Sequence, residues 1–129
     1  RGWGRIINIS GLAARHAGSV TGSIRNVAVV AMSKNLADEL GPSGVNVVSV
    51  QPAATRTDTW LDNLGRRAEA MGRERAELER QVAATVSIER LVEPHEVAAV
   101  IAFLASPLSV AINGDTVITS GGVKGPIYY

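Results

Sequence analysis

The sequence predicts an α/β fold in which short buried strands alternate with helices. Residues 5–10 (RIINIS) and 45–50 (VNVVSV) are rich in β-branched side chains, as the buried strands of parallel sheets are. About 34 residues that contain a helical pattern separate these runs, which is the length of a crossover between parallel strands. Residues 116–119 form a third strand-like run near the end of the chain. The predicted order of elements is β-α-β-α-α-β.

The first predicted helix extends from about residue 23 to residue 40. Apolar residues occupy more than one of its faces, so we expect it to be buried on most sides. Thr21 or Ser23 is predicted to cap its N-terminus, because short hydroxyl side chains accept hydrogen bonds from the first free N–H groups. Gly41 and Pro42 are predicted to end it.

After a predicted loop at 53–60, apolar residues recur every three or four positions up to residue 82, with an interruption at Arg75. A coiled coil is the weaker interpretation, because the pattern lasts barely three heptads. We expect a surface helix that covers a pocket or a neighbouring element instead, and we assign residues 58–88 to a helical lid or substrate-loop region.

The last helix is predicted to begin at Pro94, because proline fits the first turn of a helix, where an N–H group is not needed. Glu93 and Glu96 lie at the positive end of its dipole. Ser106 and Pro107 are predicted to end it.

Composition and charge exclude several classes of protein. Hydrophobic residues make up 46% of the 129 residues and charged residues make up 19%. A chain of this composition is too apolar to be disordered. Thirteen basic and 12 acidic residues are spread along the chain and give a net charge of +1, so we expect no nucleic-acid partner. No apolar run approaches the roughly 20 residues that cross a membrane. The chain has no Cys, and His16 and His95 are far apart, so we expect no metal site.

The start of the chain and its composition bear on where the protein works. The chain begins at Arg1 and not at Met, so we expect it to be a piece of a longer polypeptide or a processed product. It contains no cysteine and no recognisable signal peptide, which favours the cytoplasm.

Seven blocks of sequence occur in a fixed order: residues 4–10 (GRIINIS), 35–42 (NLADELGP), 44–48 (GVNVV), 51–52 (QP) with Thr57, 90–98 (RLVEPHEVA), 103–106 (FLAS), and 112–114 (ING) with 121–122 (GG). Together they resemble the short-chain dehydrogenase/reductase (SDR) family. The resemblance implies a Rossmann-like, doubly wound parallel sheet, of which residues 1–129 carry the second half only, as a single partial domain. It also implies an oxidoreductase linked to NAD or NADP. The glycine-rich phosphate-binding turn of the family's first half does not occur in this sequence.

In the SDR family a Tyr acts as general acid and base, a Lys four residues later lowers its pKa, and a Ser orients the substrate carbonyl. The resemblance places the Ser, Tyr and Lys positions on Gly11, Gly22 and Asn26. The chain's tyrosines are Tyr128 and Tyr129, and no YxxxK motif occurs. None of the three catalytic positions is therefore intact.

Two nearby side chains, Ser10 and His16, are weak substitutes for the missing groups. Imidazole has a pKa suited to proton transfer near neutral pH. The alternative is that Arg15 and His16 are exposed loop residues and that Arg25 is a solvated charge on the helix.

The resemblance assigns the cofactor-binding role to Asn8, Ser10, Pro52, Ala53, Thr55 and Thr57. Ala53 replaces the family's usual Gly, which would narrow the approach of the cofactor if this residue required a positive φ. Alternative roles are structural: Asn8 would fix the end of its strand, and Thr57 would cap the next helix.

The family commonly assembles through its last helix and last strand, here residues 94–106 and 116–119. We expect a homo-oligomer by this route, because strand 5–10 also lacks a neighbour on one side and an unpaired apolar edge favours self-association. The expected ligand is a small-molecule substrate, with no membrane partner.

The sequence therefore predicts an SDR oxidoreductase homologue of the carbonyl/alcohol class that is inactive as this chain. One alternative is an atypical NAD(P)-dependent oxidoreductase that a missing N-terminal half or a partner chain completes. The other is an oligomerisation or interaction module.

Overall fold

The computed structural model describes residues 2–125 and 127, so the two tyrosines discussed above lie outside the described residues. The chain forms two compact units. Unit 1 consists of Arg1–Pro52 and Val97–Thr119, and unit 2 consists of Ala53–Glu96 and Ser120–Tyr129.

The elements follow the order β-α-β-α-α-α-β, which has one helix more than the predicted order β-α-β-α-α-β. They are β1 (Gly4–Ile9), α1 (Val20–Leu40), β2 (Val45–Pro52), α2 (Asp58–Met71), α3 (Arg75–Ala83), α4 (Pro94–Ala105) and β3 (Thr116–Thr119). Short 3₁₀ turns occur at Leu12–Ala14, Gly41–Ser43 and Pro107–Ser109.

The sheet of unit 1 is parallel throughout, with the strand order β1-β2-β3. Its core lies between the central strand and α4, where Val48 and Val50 pack against Leu104. Ile7 on β1 and Val117 on β3 extend the same apolar face. The central strand is the most deeply buried, as expected for a strand with helices over both faces.

Helix α1 covers the opposite face of the sheet from α4. Asn8, whose side chain alternates with that of Ile7, donates a hydrogen bond from Nδ2 to Oγ of Ser33 on α1, over 3.0 Å. The chain moves across the sheet in one direction from β1 to β3, yet the two helices lie on opposite faces. The two crossovers therefore have opposite hands, and one of them departs from the usual right-handed rule.

The start of α1 corrects the predicted cap. The helix begins at Val20, and Ser19, not Thr21 or Ser23, accepts a hydrogen bond at Oγ from the N–H of Gly22, over 3.1 Å. The first turn carries no buried apolar residue, so the hydrophobic pattern did not mark it. The helix ends at Leu40 before Gly41, as predicted.

The predicted burial of α1 on most sides is also wrong within the described part of the chain. One face packs on the sheet through Ser33 and Ala37, while Val20, Ile24 and Val27 on the outer face are 80%, 66% and 49% exposed. Apolar residues are spread around the whole circumference of this helix, but unit 1 buries only the face that packs on the sheet.

Two strand ends differ from the predicted ones. β2 continues through Pro52, whose missing N–H is tolerated because it is the last residue, opposite Thr119. β1 ends at Ile9, although the N–H of Ser10 still donates to the carbonyl of Val50 over 2.9 Å.

In unit 2 the predicted lid region forms two helices and not one. α2 ends at Gly72, whose left-handed φ of 61° reverses the chain direction before α3 begins at Arg75. Leu64, Ala68 and Leu78 form the contact between the two helices. None of the helices in the described part of the chain combines the length and apolar character that crossing a bilayer requires.

Candidate functional site

Gly11, which the resemblance assigns to the family's Ser position, follows β1 in an extended backbone conformation. A Cβ atom at this residue would lie 3.3 Å from Nδ2 and 3.5 Å from Oδ1 of Asn26. The absence of a side chain at Gly11 therefore allows the amide of Asn26 to lie against the backbone here.

Asn26, which the resemblance assigns to the family's Lys position, is 8% exposed on the sheet side of α1. Its backbone carbonyl accepts a hydrogen bond from Oγ of Ser10 over 2.9 Å. The side chain carries no charge, so it cannot lower the pKa of a neighbouring phenol as an ammonium group would.

Gly22, which the resemblance assigns to the family's Tyr position, lies in the first turn of α1. A Cβ atom here would lie 3.1 Å from Oγ and 3.2 Å from Cβ of Ser19, the residue that caps the helix. A tyrosine at this position would therefore require the capping side chain to move. The three substitutions are thus accommodated by their surroundings.

The weak substitutes lie in the same region. The hydroxyl of Ser10 is used as the donor to Asn26. His16 is half-buried in the loop after β1, and its carbonyl accepts a hydrogen bond from Oγ of Ser23 over 3.4 Å. Asn8 is bound to Ser33 on α1, a contact that supports a structural role for this residue.

A pair that the sequence did not single out lies at the carboxyl ends of β1 and β2. Nε of Arg15 donates a hydrogen bond to Oε1 of Gln51 over 3.1 Å. Gln51 is only 1% exposed, whereas Arg15 is an exposed loop residue. Sequence reasoning treated Arg15 as solvated and Gln51 as the end of a strand, because no pattern links residues 36 positions apart.

The remaining predicted cofactor positions follow β2. Pro52 ends the strand in unit 1, and residues 53–57 begin unit 2. Thr55 bridges to Val92, and its Oγ1 donates to the carbonyl of Ala53 over 3.2 Å. Oγ1 of Thr57 accepts from the N–H of Trp60 over 3.2 Å, so Thr57 caps α2.

Unit 2 contains a cavity of about 370 Å³ whose lining includes three arginines and three glutamates. Arg56 pairs with Glu79 over 2.7 Å, and this hydrogen bond raises the pKa of Arg56. The charges that line the cavity balance: Arg56, Arg80 and Arg90 against Glu79, Glu89 and Glu93. It therefore presents no excess charge to a ligand.

Arg90 and Glu96 form a two-pronged ion pair beside the start of α4, with N–O distances of 2.8 and 2.6 Å. Oε2 of Glu96 also accepts the N–H of Glu93 over 2.8 Å. The hydrogen bond from Arg90, followed by that from Glu93, lowers the pKa of Glu96 to about 2. This is the reciprocal half of a capping box, and it fixes the N-terminus of the helix.

A three-stranded parallel sheet with helices on both faces places the chain in the α/β class, in which ligand sites commonly lie outside the carboxyl ends of the strands. A family model described as "Enoyl-(Acyl carrier protein) reductase" matches residues 1–124. The chain belongs to the short-chain dehydrogenase/reductase family of oxidoreductases.

Individual relatives agree with this assignment. The chain is 37% identical over 123 residues to the short-chain reductase protein NovJ of Streptomyces niveus, covering 95% of this chain and 45% of that protein. It is 32% identical over 123 residues to the 3-oxoacyl-[acyl-carrier-protein] reductase FabG of Aquifex aeolicus, covering 94% and 45%. The chain thus spans about half the length of the curated relatives it matches.

Solved structures show the same fold. The crystal structure of YwfH, an NADPH-dependent reductase involved in bacilysin biosynthesis, matches with a TM-score of 0.87 and 30% identity over 98% of this chain and 49% of that one. L-sorbose reductase from Gluconobacter frateurii, complexed with NADPH and L-sorbose, has a TM-score of 0.89 at 22% identity, covering 98% and 49%. The second likeness shows the fold alone.

The residues after β2 fit the nicotinamide end of the family's cofactor. Among the described residues Glu89 is the non-glycine with a positive φ, so Ala53 needs no glycine-like conformation and its methyl group causes no backbone strain. Thr57 accepts a hydrogen bond as a helix cap, and its hydroxyl retains the capacity to donate one. The cofactor would supply a hydride when bound.

Proposed function

We propose that this chain is an SDR oxidoreductase homologue that contributes the nicotinamide side of a cofactor site but does not catalyse carbonyl reduction by the Ser–Tyr–Lys route. The observation that carries the proposal is Asn26, a buried neutral amide at the Lys position, packed against Gly11 at the Ser position. A phenol has a pKa near 10 and needs a nearby cation to work as a base at neutral pH. Here both the phenol and the cation are missing from their positions.

The loss of the acid–base group has a large expected cost. General acid–base catalysis typically contributes about 10²- to 10⁴-fold, so orienting a carbonyl against a nicotinamide would leave at most a slow reaction. We infer that Pro52, Ala53, Thr55 and Thr57 would hold the carboxamide end of NAD or NADP. NADPH is the first cofactor to test, because the similar protein YwfH is described as an NADPH-dependent reductase.

The test compares the unchanged chain with a variant that carries Gly11→Ser, Gly22→Tyr and Asn26→Lys together. Binding of NAD⁺, NADH, NADP⁺ and NADPH is measured by isothermal titration, and NADPH oxidation is followed with a β-keto thioester as the trial substrate. We expect the unchanged chain to oxidise no NADPH above the blank. Carbonyl-dependent turnover by the unchanged chain would overturn the proposal, and Ser10→Ala and His16→Ala would then identify the substitute group.

Circular dichroism is the control for the triple variant, because a tyrosine at residue 22 displaces the cap at Ser19. If the variant folds and gains NADPH oxidation, the three substitutions are the cause of inactivity. A triple variant that binds NADPH but does not oxidise it would contradict this explanation of the inactivity, because the cofactor and the restored residues would then both be in place.

We also propose that the chain assembles through α4 and β3. Phe103 on α4 is 45% exposed, and β3 forms an edge of the described sheet, so both present surface that a second copy can cover. Light scattering over a wide concentration range tests this, with Phe103→Glu as the variant and Val27→Glu, on the outer face of α1, as the matched control. Dissociation of the Phe103→Glu variant alone supports the proposal, and a wild-type monomer at every concentration contradicts it.

A further inference from the structure

We propose that the groove between α2 and α3 binds a small apolar ligand that carries a single carboxylate group. The groove consists of two cavities of about 180 and 250 Å³, and Leu64, Arg67 and Val82 line both of them. It lies wholly within unit 2. This site goes beyond the proposed function, because it requires neither the cofactor nor hydride transfer.

The groove is separate from the residues that carry the family resemblance. Its described lining residues all fall between positions 60 and 85, a stretch that none of the seven blocks of sequence includes. The residues to which the resemblance assigns a catalytic or cofactor-binding role do not line it either. The groove is therefore a feature of this chain's own α2 and α3 and not of the motifs that define the family.

The floor of the groove is apolar. Trp60 and Leu64 lie on the face of α2 that packs against Leu78 of α3, and the two leucines are only 6% and 4% exposed. An apolar cavity of about 150 Å³ accommodates a benzene ring, so the cavity of about 180 Å³ beside Trp60 has room for one ring. Both cavities are smaller than the pockets of about 300–1,000 Å³ that hold drug-sized ligands, so the ligand is small.

Arginine and amide groups supply hydrogen-bond donors at the groove. Arg67 lines both cavities, and Asn63, one helical turn before it, lines the smaller one. Oδ1 of Asn63 accepts a hydrogen bond from Arg66, so the amide of Asn63 retains its N–H groups to donate. The described lining of the two cavities contains no Asp or Glu. A carboxylate only accepts hydrogen bonds, so it is the ligand group that matches these donors.

The charge of Arg67 is not matched by an acid of the described chain. Arg56, Arg73 and Arg90 each pair with a glutamate, whereas Arg67 is exposed and forms no ion pair or hydrogen bond with another described side chain. The positions three and four residues away on α2, where a helical ion pair would form, are occupied by Asn63, Leu64, Ala70 and Met71. None of these residues is acidic, so the guanidinium is available to a ligand.

A single arginine beside an apolar floor favours a carboxylate over a phosphate. A guanidinium stays charged at physiological pH, and its planar fork matches the two oxygens of one carboxylate. Charge-assisted hydrogen bonds of this kind are about twice as strong as neutral ones. A phosphate ester carries a charge of about −1.5 to −2 at neutral pH and three acceptor oxygens, which one cation does not balance.

The experiment titrates sodium benzoate into the ¹⁵N-labelled 129-residue chain at constant ionic strength and records ¹H–¹⁵N spectra. The indole N–H of Trp60 reports on the groove, and the indole N–H of Trp3, in unit 1, is the internal control. We expect saturable shifts at the Trp60 indole and at the amides of residues 63–67 and 82, with the Trp3 indole unchanged. The absence of a saturable shift at Trp60 would overturn the proposal, and so would equal shifts at the two indoles.

Three further probes separate the parts of the ligand. Sodium acetate keeps the carboxylate and lacks the ring, and benzyl alcohol keeps the ring and lacks the charge. We expect each to bind at least about tenfold more weakly than benzoate, because each loses one of the two kinds of contact. Phenyl phosphate is expected to bind more weakly than benzoate as well. Affinity equal to or higher than that of benzoate for any of the three would contradict the assigned ligand class.

Substitutions at Arg67 make the test specific. Arg67→Gln is expected to weaken benzoate binding about tenfold or more while benzyl alcohol binding changes less than about twofold. Arg67→Lys keeps the charge but not the fork, and we expect a smaller loss. Arg80→Gln is the matched control, because Arg80 is also exposed in unit 2 but lines the separate cavity beside Arg56, and we expect less than about a twofold change. Equal weakening by Arg67→Gln and Arg80→Gln would show a diffuse electrostatic effect and would overturn the site.

Asn63→Asp tests the donors separately. It places a negative charge one helical turn before Arg67 at nearly constant volume, so we expect benzoate binding to weaken at least about tenfold because the new carboxylate competes for Arg67 and repels the ligand. Asn63 and Arg67 are exposed, so these substitutions leave the packing of Leu64 against Leu78 in place. Wild-type affinity for benzoate in Arg67→Gln and Asn63→Asp contradicts the proposal.

Discussion

The side chain of Ser10 crosses from the end of β1 to α1 and donates its hydroxyl proton to the backbone carbonyl of Asn26 over 2.9 Å. Both residues occur in or beside the family's catalytic positions, yet the contact between them links a strand to a helix. A hydroxyl that donates to a buried main-chain carbonyl is a poor candidate for orienting a substrate carbonyl, because the same proton would be needed for both.

This contact predicts a stability effect for Ser10→Ala. The variant removes the hydrogen bond that links the end of β1 to α1, and we expect the free energy of unfolding to fall by about 1 kcal/mol. Urea denaturation measures the change, with Ser43→Ala, an exposed serine in the 3₁₀ turn after α1, as the matched control. A stable variant that has lost an activity of the wild-type chain would instead support a catalytic role for Ser10.

The cap of α1 gives a second prediction. Ser19→Ala removes the acceptor for the N–H of Gly22, and the free energy of unfolding is expected to fall by about 1 kcal/mol. Thr21→Ala is expected to cost nothing and to gain slightly, because Thr21 lies inside the first turn, where alanine is the better helix former. Thermal denaturation of both variants distinguishes the two residues, and a larger loss for Thr21→Ala would contradict the structure.

Substitutions at Thr57 distinguish a role as helix cap from a role in binding the cofactor. Thr57→Ser keeps a hydroxyl for the N–H of Trp60, whereas Thr57→Ala removes it, so we expect only the alanine variant to lose about 1 kcal/mol of stability. Urea denaturation in the absence of nucleotide is the measurement. Equal stability of the two variants would mean that the cap contributes nothing and that the hydroxyl serves another purpose.

The alternation of strands and helices was predictable from the sequence because hydrophobic runs of the right length alternate along it, but the break between α2 and α3 at Gly72 was not. The start of α1 was not, because Val20 is exposed and gives no buried periodicity to mark the first turn. The placement of α1 and α4 on opposite faces was not predictable either. The usual right-handed rule places both helices on the same face, and only the contacts of Asn8 and Leu104 show otherwise.

The candidate site was predictable only where a short motif marks it. The assignment of the family's catalytic positions to Gly11, Gly22 and Asn26 was made by counting along the chain from neighbouring blocks of sequence, and it stays a prediction. The contact between Arg15 and Gln51 joins a loop to a strand across 36 positions, and neither residue belongs to a periodic pattern. Such a pair is a product of tertiary structure, so only the folded chain reveals it.

The pKa of Glu96 predicts how stability changes with acidity. Hydrogen bonds from Arg90 and Glu93 lower the pKa from 4.5 to about 2 in the folded chain. A depressed carboxyl pKa stabilises the folded state above the unfolded value, so this stabilisation is present above about pH 4.5 and is lost as the pH falls towards 2. We expect Glu96→Gln to lower Tm at pH 7 and the difference from wild type to vanish near pH 2.

Melting curves from pH 7 to pH 2 test this expectation, with Glu39→Gln, an exposed glutamate near the end of α1, as the control. The control should show no comparable closing of the gap. A difference between wild type and Glu96→Gln that persists undiminished at pH 2 would contradict the assigned ion pair.

Two threonines on β3 predict opposite effects for the same substitution. Oγ1 of Thr116 lies 2.6 Å from Oγ of Ser49 in a partly buried hydrogen bond, so Thr116→Val should lower the free energy of unfolding by about 1 kcal/mol. Among the described residues, Oγ1 of Thr119 is the buried side-chain atom without a hydrogen-bond partner. Thr119→Val removes an unsatisfied polar group at nearly constant volume and should raise that free energy by about 1 kcal/mol. Urea denaturation of the two variants measures both signs, and a destabilised Thr119→Val would mean that this hydroxyl has a partner in solution.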